Sequence, residues 1–226
     1  HAAEVAGEIP NAVSPLVKAL ADDSPRVRDA ALTSLAVLTD PRGKKVQAEL
    51  WPAPLFPAVA KLLAEDPFSF VRAHAAESLR GAPAGDVGDA PLANALSDGS
   101  PQVRGRAIDM LGARGAHAQA GAIAERLDDE HENFDVRTRA ARALGAVCDM
   151  GSADRLTELA KKGATVGADP ESRILGATAA AALGHLAPPD LSSRLAPLLD
   201  PKAPRLAQQM GKAAMNSPEH CPKTVK

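Results

Sequence analysis

Aromatic side chains are scarce in this sequence of 226 residues: they make up 2% of it, with one Trp, four Phe and no Tyr. β-Sandwiches and barrels rely on aromatic and β-branched side chains, so this composition disfavours them. Modules that bind nucleic acids by stacking bases on aromatic rings are disfavoured for the same reason. A core made mainly of Ala, Leu and Val instead predicts closely packed α-helices.

An excess of charge of one sign is also lacking. The 26 Lys and Arg residues are nearly balanced by 28 Asp and Glu residues, which gives a net charge of −2. Because no overall positive field would attract a phosphate backbone, we expect no nucleic-acid partner. No apolar run reaches the ~20 residues that span a bilayer, so we expect no membrane insertion.

Cysteine is limited to Cys148 and Cys221. Two cysteines are too few for a disulfide scaffold, and their spacing matches no zinc-binding pattern. The sequence leaves two alternatives open. A single disulfide would fit an exported, periplasmic protein, whereas two unrelated thiols would fit a cytoplasmic one. The compartment and the oligomeric state therefore stay open at this point.

Internal repeats are the clearest positive signal. Four segments follow the pattern Val-Arg-x-x-Ala-x-x-x-Leu and begin at Val27, Val71, Val103 and Val136, and a degenerate fifth copy begins at Leu175. Apolar residues at positions 0, +4 and +8 form one face of an α-helix. Ser-Pro or Asp-Pro precedes most copies, and another apolar-periodic stretch precedes each turn. The pattern predicts helix–turn–helix units that bury their apolar faces by stacking, with Ala75, Ala107 and Ala140 in the buried interfaces.

These repeats resemble HEAT repeats, and the short Ala-rich units ending in Leu-Gly are most similar to the bacterial phycobilin-lyase type. The resemblance implies an all-α fold, a right-handed α-solenoid of about five to six helix pairs in one domain, residues 1–216. The predicted units are 10–39, 55–82, 88–115, 119–150, 153–186 and 190–216. Residues 40–54, which include Trp51, form an insertion, and residues 217–226 form an irregular tail.

The resemblance also implies a structural ladder between neighbouring repeats. In such families the turn Asp and the following Arg form a ladder from one repeat to the next. A half-buried guanidinium needs a carboxylate partner, so this pairing is physically sensible. The residues concerned here are Asp23, Asp66, Asp98, Arg28, Arg72, Arg104 and Arg137.

Catalytic motifs are not apparent. The sequence has no Gly-x-Ser-x-Gly elbow, no phosphate-binding loop and no Gly-x-Gly-x-x-Gly. Metal-dependent HEAT enzymes resembling deoxyhypusine hydroxylase carry His-Glu pairs at the start of the second helices, and here only His74 remains, with no Glu after it. We therefore predict no enzymatic activity, no cofactor and no metal. The alternative is a HEAT-repeat enzyme or lyase subunit similar to a phycobilin lyase.

The second helix of each repeat exposes its +3 and +6 positions, which lie opposite the packed stripe. In the three central repeats these positions carry charge, whereas the end repeats carry Ala and Thr. Arg offers bidentate pairing to carboxylates, so we predict a scaffold or adaptor that binds an acidic protein or peptide along its concave face. The alternatives are a merely solvated helix face, or a contact through Trp51. The predicted contact residues are His74, Glu77, Arg106, Asp109, Arg139 and Arg142.

Overall fold

A computed structural model describes residues 9–38, 55–82, 85–218 and 221, and within these residues every regular element is a helix. The all-α prediction is therefore confirmed. The chain divides into two compact units, His1–Arg114 and Gly115–Lys226, called here the N-terminal and C-terminal units. The predicted insertion with Trp51 and most of the predicted tail lie outside the described residues.

The N-terminal unit contains three helix pairs within its described residues. In each pair the two helices pack on each other, and the second helices α2, α4 and α6 stack in that order. This is the layered arrangement of an α-solenoid. The helices are α1 (Ile9–Leu20), α2 (Pro25–Leu38), α3 (Leu55–Glu65), α4 (Ser69–Ser78), α5 (Asp86–Asn94) and α6 (Pro101–Arg114).

The C-terminal unit repeats this arrangement in its described residues. Here α8 packs against α10 and α10 against α12, while each first helix packs on its own second helix. The helices are α7 (Ala120–Asp128), α8 (Phe134–Ala146), α9 (Ala153–Gly163), α10 (Pro170–Leu186), α11 (Leu191–Leu199) and α12 (Arg205–Met215). Pro197 lies inside α11.

The predicted apolar stripe forms the core. Ala75, Ala107 and Ala140 are fully buried, which confirms the prediction that the stacked helices meet at these residues. The first residue of the repeat motif is buried at Val71, Val103 and Val136. Val27 differs, with 39% of its surface exposed, because it belongs to the first pair of the unit and has fewer neighbours.

The second helices begin largely at the residues that the sequence predicts. Helices α2 and α6 start at Pro25 and Pro101, each directly after a Ser. Helix α4 starts later, at Ser69 rather than at Pro67. The reason is the position of the proline. The Asp66 carboxylate accepts a hydrogen bond from the Phe68 N–H at 3.0 Å, and the same turn precedes α2 and α6, so each of these helices begins three residues after its Asp. Pro67 stands only one residue after Asp66 and therefore lies in the turn.

Helices α9 and α10 make an unusually close approach at two glycines. A Cβ atom placed on Gly176 would lie 2.7 Å from the Cα of Gly163 and 2.9 Å from the carbonyl oxygen of Leu159. Both glycines are buried. The two backbones therefore pack directly on each other, and no side chain fits between them.

Candidate functional site

Arg28 connects the turns of the first two helix pairs. Its Nε donates to Asp66 Oδ2 at 2.7 Å, and its Nη1 donates to the backbone carbonyls of Asp22 and Asp23 at 2.8 and 3.1 Å. Only 11% of the Arg28 side chain and 2% of the Asp66 side chain are exposed. The guanidinium thus holds its own turn and the next turn together.

Arg72 makes the same connection one repeat later. Its Nε and Nη2 donate to the two carboxylate oxygens of Asp98 at 2.7 and 2.9 Å, and its Nη1 donates to the carbonyl of Asp66 at 2.8 Å. The Ser100 N–H also donates to Asp98, at 2.8 Å. Burial alone would raise the pKa of Asp98, but these hydrogen bonds and the charges of Arg72 and Arg104 outweigh burial and lower it. The hydrogen bond to Asp98 in turn raises the pKa of Arg72.

The predicted position of the first ladder carboxylate is wrong by one residue. Asp22, not Asp23, accepts the hydrogen bond from the N–H two residues later, that of Ser24, at 2.8 Å. The sequence spacing agrees with Asp22, because Asp66 and Asp98 precede Arg72 and Arg104 by six residues and Asp22 precedes Arg28 by the same number. Asp23 contributes its backbone carbonyl to Arg28 instead.

The remaining two ladder arginines contact main-chain carbonyls. Arg104 Nη1 donates to the carbonyl of Asp98 at 2.7 Å, in the turn that precedes its own helix. Arg137 Nε, in the C-terminal unit, donates to the carbonyl of Leu127 at 3.0 Å. In the turn before α8, the Asp129 carboxylate accepts from the His131 N–H at 2.9 Å.

The predicted contact residues of the N-terminal unit are half-buried and interact across neighbouring second helices. His74 on α4 contacts the carboxylate of Asp29 on α2 through its Nδ1. Arg106 on α6 lies 3.7 Å from Glu77 on α4, measured from Nε to Oε2. Asp109 is also half-buried on α6. On this face, His74 and Arg106 therefore already contact carboxylates of the neighbouring second helices.

The predicted contact residues of the C-terminal unit, Arg139 and Arg142, differ in their surroundings. Arg139 Nε donates to Asp135 Oδ2 at 2.7 Å, four residues earlier on α8. Arg142 is exposed and lines a groove between α8 and α10, with a volume of about 640 Å³. The structure thus separates two arginines that the sequence pattern treats as equivalent.

The α8–α10 groove is lined by small side chains on both helices. Gly145 on α8 and Ala182 on α10 meet so closely that a Cβ atom on Gly145 would lie 3.0 Å from that of Ala182. Among the described residues of the lining, Arg142 and His185 are the charged or titratable ones. The described lining residues are Arg142, Gly145, Ala146, Ala177, Thr178, Ala181, Ala182, His185, Ser217 and Pro218.

Cys148 and Cys221 form a disulfide, one of the two alternatives left open by the sequence. Cys148 directly follows the end of α8, and the bond ties the segment after α12 to that position. The backbone N–H of Cys221 also donates to the carbonyl of His185, at the end of α10, at 2.9 Å. Ser217 and Pro218, which complete the groove, lie just before this attachment.

Comparison with protein families agrees with the paired helices and the Arg–Asp turns. A family model of HEAT repeats matches residues 1–80 and 89–166, more than half of the chain. The chain belongs to the HEAT-repeat family. HEAT repeats generally mediate protein interactions, and their helical fold is typically non-enzymatic. No curated protein matches this chain. The narrower resemblance to phycobilin-lyase repeats stays a prediction.

None of the described helices of this HEAT-repeat chain combines the length and the apolar character that crossing a bilayer requires.

Two features of the HEAT repeats were missed by sequence reasoning. Arg114, in the last turn of α6, is almost fully buried, donates to Asp89 at 2.6 Å and caps the carbonyls of Leu79 and Ala82 at 2.9 Å each. A basic residue in a last helical turn is a weak signal for such a role. His185, in the last turn of α10, was not among the predicted site residues. It follows Thr178 by seven residues on the same helical face, a spacing that indicates the shared groove.

Asp98→Asn should destabilise the N-terminal unit by about 2 kcal/mol at pH 7, because hydrogen bonds between charged groups contribute ~1.5–3 kcal/mol. Since folding lowers the pKa of Asp98, its contribution is present above the unfolded pKa and is lost as the pH falls through the folded pKa. The difference between wild type and variant should therefore shrink below about pH 4. Urea unfolding, followed by hydrogen exchange in α4 and α6, measures both effects.

The matched control is Asp23→Asn, which changes an exposed aspartate in an equivalent turn. We expect a change within ~0.5 kcal/mol for this variant. Equal effects of the two substitutions, or a difference that does not depend on pH, would contradict the role assigned to the Asp98 carboxylate.

Proposed function

We propose that this HEAT-repeat protein is a non-catalytic interaction scaffold that binds an acidic segment of another protein in the α8–α10 groove. The observation that carries the proposal is the charge of the lining. Among the described residues, Arg142 and His185 are the charged or titratable groups of the lining, and the exposed Arg142 side chain faces the groove. A guanidinium recognises a carboxylate through two parallel hydrogen bonds, so Arg142 is the expected anchor.

The dimensions of the groove support a peptide segment as the ligand. Its volume of about 640 Å³ lies within the ~300–1,000 Å³ typical of ligand-binding clefts. The floor consists of Gly and Ala residues, which allow the main chain of a bound segment to approach the helices closely. The Thr178 hydroxyl donates to the Ile174 carbonyl at 2.9 Å, and its oxygen can still accept a hydrogen bond from a peptide N–H of the bound segment.

The charged face of α4 and α6 in the N-terminal unit supports a second contact with a partner. His74, Glu77, Arg106 and Asp109 present both signs of charge. Because His74 and Arg106 already contact carboxylates, this face suits a partner segment of mixed charge. Its contacts contribute more to the position of that segment along the helices than to the affinity of binding.

The experiment is a peptide-display selection on the purified chain, followed by affinity measurements with the selected peptides. We expect Asp and Glu to be enriched among the binders. Arg142→Glu should weaken binding at least tenfold, since it removes the anchor and places a like charge in the groove. Circular dichroism checks that the variant remains folded, as expected for an exposed residue.

Arg139→Glu is the matched control, because it introduces the same charge change on the same helix outside the groove lining. Its effect should stay below about twofold. Equal losses for the two variants would contradict binding in the groove. Selection of no acidic peptide, together with binding of a small carboxylate-bearing chromophore, would support the phycobilin-lyase-like alternative instead.

A further inference from the structure

Three metal-ligating side chains converge at one end of the α8–α10 groove. They come from three separate segments: Cys148 after α8, His185 in the last turn of α10, and Cys221 in the C-terminal segment. The two Sγ atoms and a ring nitrogen of His185 all lie within 4.8 Å of one another. Two sulfurs and an imidazole form a donor set typical of zinc sites in proteins.

Backbone hydrogen bonds hold these residues in place independently of the disulfide. The N–H of Cys148 donates to the carbonyl of Gly145 at 3.0 Å, and the N–H of Cys221 donates to the carbonyl of His185 at 2.9 Å. Cleavage of the S–S bond breaks neither contact. The thiols of the reduced chain therefore remain close to each other and to the imidazole.

We propose that the reduced chain binds one Zn²⁺ ion through Cys148 Sγ, Cys221 Sγ and a ring nitrogen of His185, with water as the fourth ligand. Zn–S and Zn–N bonds of ~2.3 and ~2.0 Å place tetrahedral ligand atoms about 3.5–3.8 Å apart. The sulfurs must separate by less than about 2 Å from their bonded positions to reach this geometry. This proposal goes beyond the proposed scaffold function and does not depend on it.

The disulfide and the metal site exclude each other, so the site is controlled by redox state. A dithiol reductant transfers two electrons and two protons to the disulfide, which yields two protein thiols and the oxidised reductant. Binding of Zn²⁺ then displaces both thiol protons, because the thiolate is the metal ligand. Hydrogen peroxide takes two electrons from the two thiolates and, with two protons from the solvent, gives two water molecules. The S–S bond re-forms and the ion is released.

The softness of the ligands selects the type of metal. Thiolate and imidazole favour zinc, whereas magnesium and calcium require oxygen ligands. Among the described residues, the cluster contains no carboxylate. We therefore expect Mg²⁺ and Ca²⁺ not to compete for the site.

The test uses the full chain, oxidised or reduced with a phosphine, and Co²⁺ as a spectroscopic substitute for Zn²⁺. Reduced protein should show a sulfur-to-cobalt charge-transfer band and the strong d–d bands of a tetrahedral site, and one equivalent of Zn²⁺ should abolish them. Oxidised protein should show neither. Peroxide added to the zinc-loaded protein should release the ion to a chelating dye.

The variants identify the ligands. Cys148→Ser should lose the two-thiolate spectrum. His185→Gln keeps the disulfide, so its folding is checked in the oxidised state, and once reduced it should bind Zn²⁺ at least tenfold more weakly than wild type. His131→Gln, at an exposed turn of the same unit, should bind as wild type does. A reduced wild-type chain without the charge-transfer band, or unchanged affinity in His185→Gln, would overturn the proposal. Neither measurement uses a peptide, so a negative result for Zn²⁺ binding can be distinguished from a negative result for peptide binding in the groove.

Discussion

Replacing both cysteines, in Cys148→Ser/Cys221→Ser, should destabilise the C-terminal unit by about 3–4 kcal/mol. The bond joins residues 73 positions apart, and closing so long a loop in the unfolded chain accounts for roughly 4 kcal/mol in the chain-entropy model. Thermal unfolding with EDTA present measures the change. Hydrogen exchange in α8, α10 and α12 should locate it in the C-terminal unit.

Reduction of the wild-type protein provides the matched comparison. Phosphine should lower the wild-type melting temperature to that of the double variant and should leave the variant unchanged. The Ser residues conserve size, so the comparison isolates the covalent bond. A variant as stable as the oxidised wild type, or one that responds to the phosphine, would contradict the assignment.

Gly176→Ala should destabilise the C-terminal unit by about 2–3 kcal/mol. In an exposed helix this substitution is favourable by up to ~1 kcal/mol, because Ala has the higher helix propensity. At Gly176 the new methyl group would lie 2.7 Å from the Cα of Gly163, so α9 and α10 must move apart. Overpacking of this kind costs ~1–3 kcal/mol and occasionally more. Urea unfolding measures the change in stability.

The control is Gly121→Ala in α7, where a Cβ atom would meet nothing within 4 Å. The same chemical change should be neutral or stabilising there, by up to ~1 kcal/mol. The two substitutions are thus expected to have opposite signs. If both stabilise the protein, α9 and α10 do not pack through their backbones.

The repeat pattern was sufficient to predict the helix pairs and their core because both depend on local periodicity. Ala107 and Leu111 are buried where the 0, +4, +8 spacing places them. The same spacing could have identified Asp22 instead of Asp23, because Asp22 precedes Arg28 by six residues, as Asp66 precedes Arg72. Which repeat supplies the Arg that binds each carboxylate depends on the stacking of the repeats, and only the structure gives it.

The groove was harder to predict from the sequence, for a different reason. The +6 rule identified Arg142 as exposed, and the structure agrees. The rule could not distinguish Arg142 from Arg139. Arg139 donates a hydrogen bond to Asp135, whereas Arg142 lies beside the small residues of α10, and neither contact is part of the rule. Pairing of Cys148 with Cys221 likewise depends on where the segment after α12 returns, which no local pattern encodes.

The one-directional contacts of Arg28 and Arg72 also affect how the N-terminal unit unfolds. Each arginine belongs to one repeat and its carboxylate to the next, so the contact adds to the coupling between repeats and not to the intrinsic stability of either. A fragment cut between α4 and α5 would leave Arg72 at a new end without Asp98. Partly unfolded states with such ends are therefore penalised, and the unit should lose its three helix pairs cooperatively instead of fraying one pair at a time.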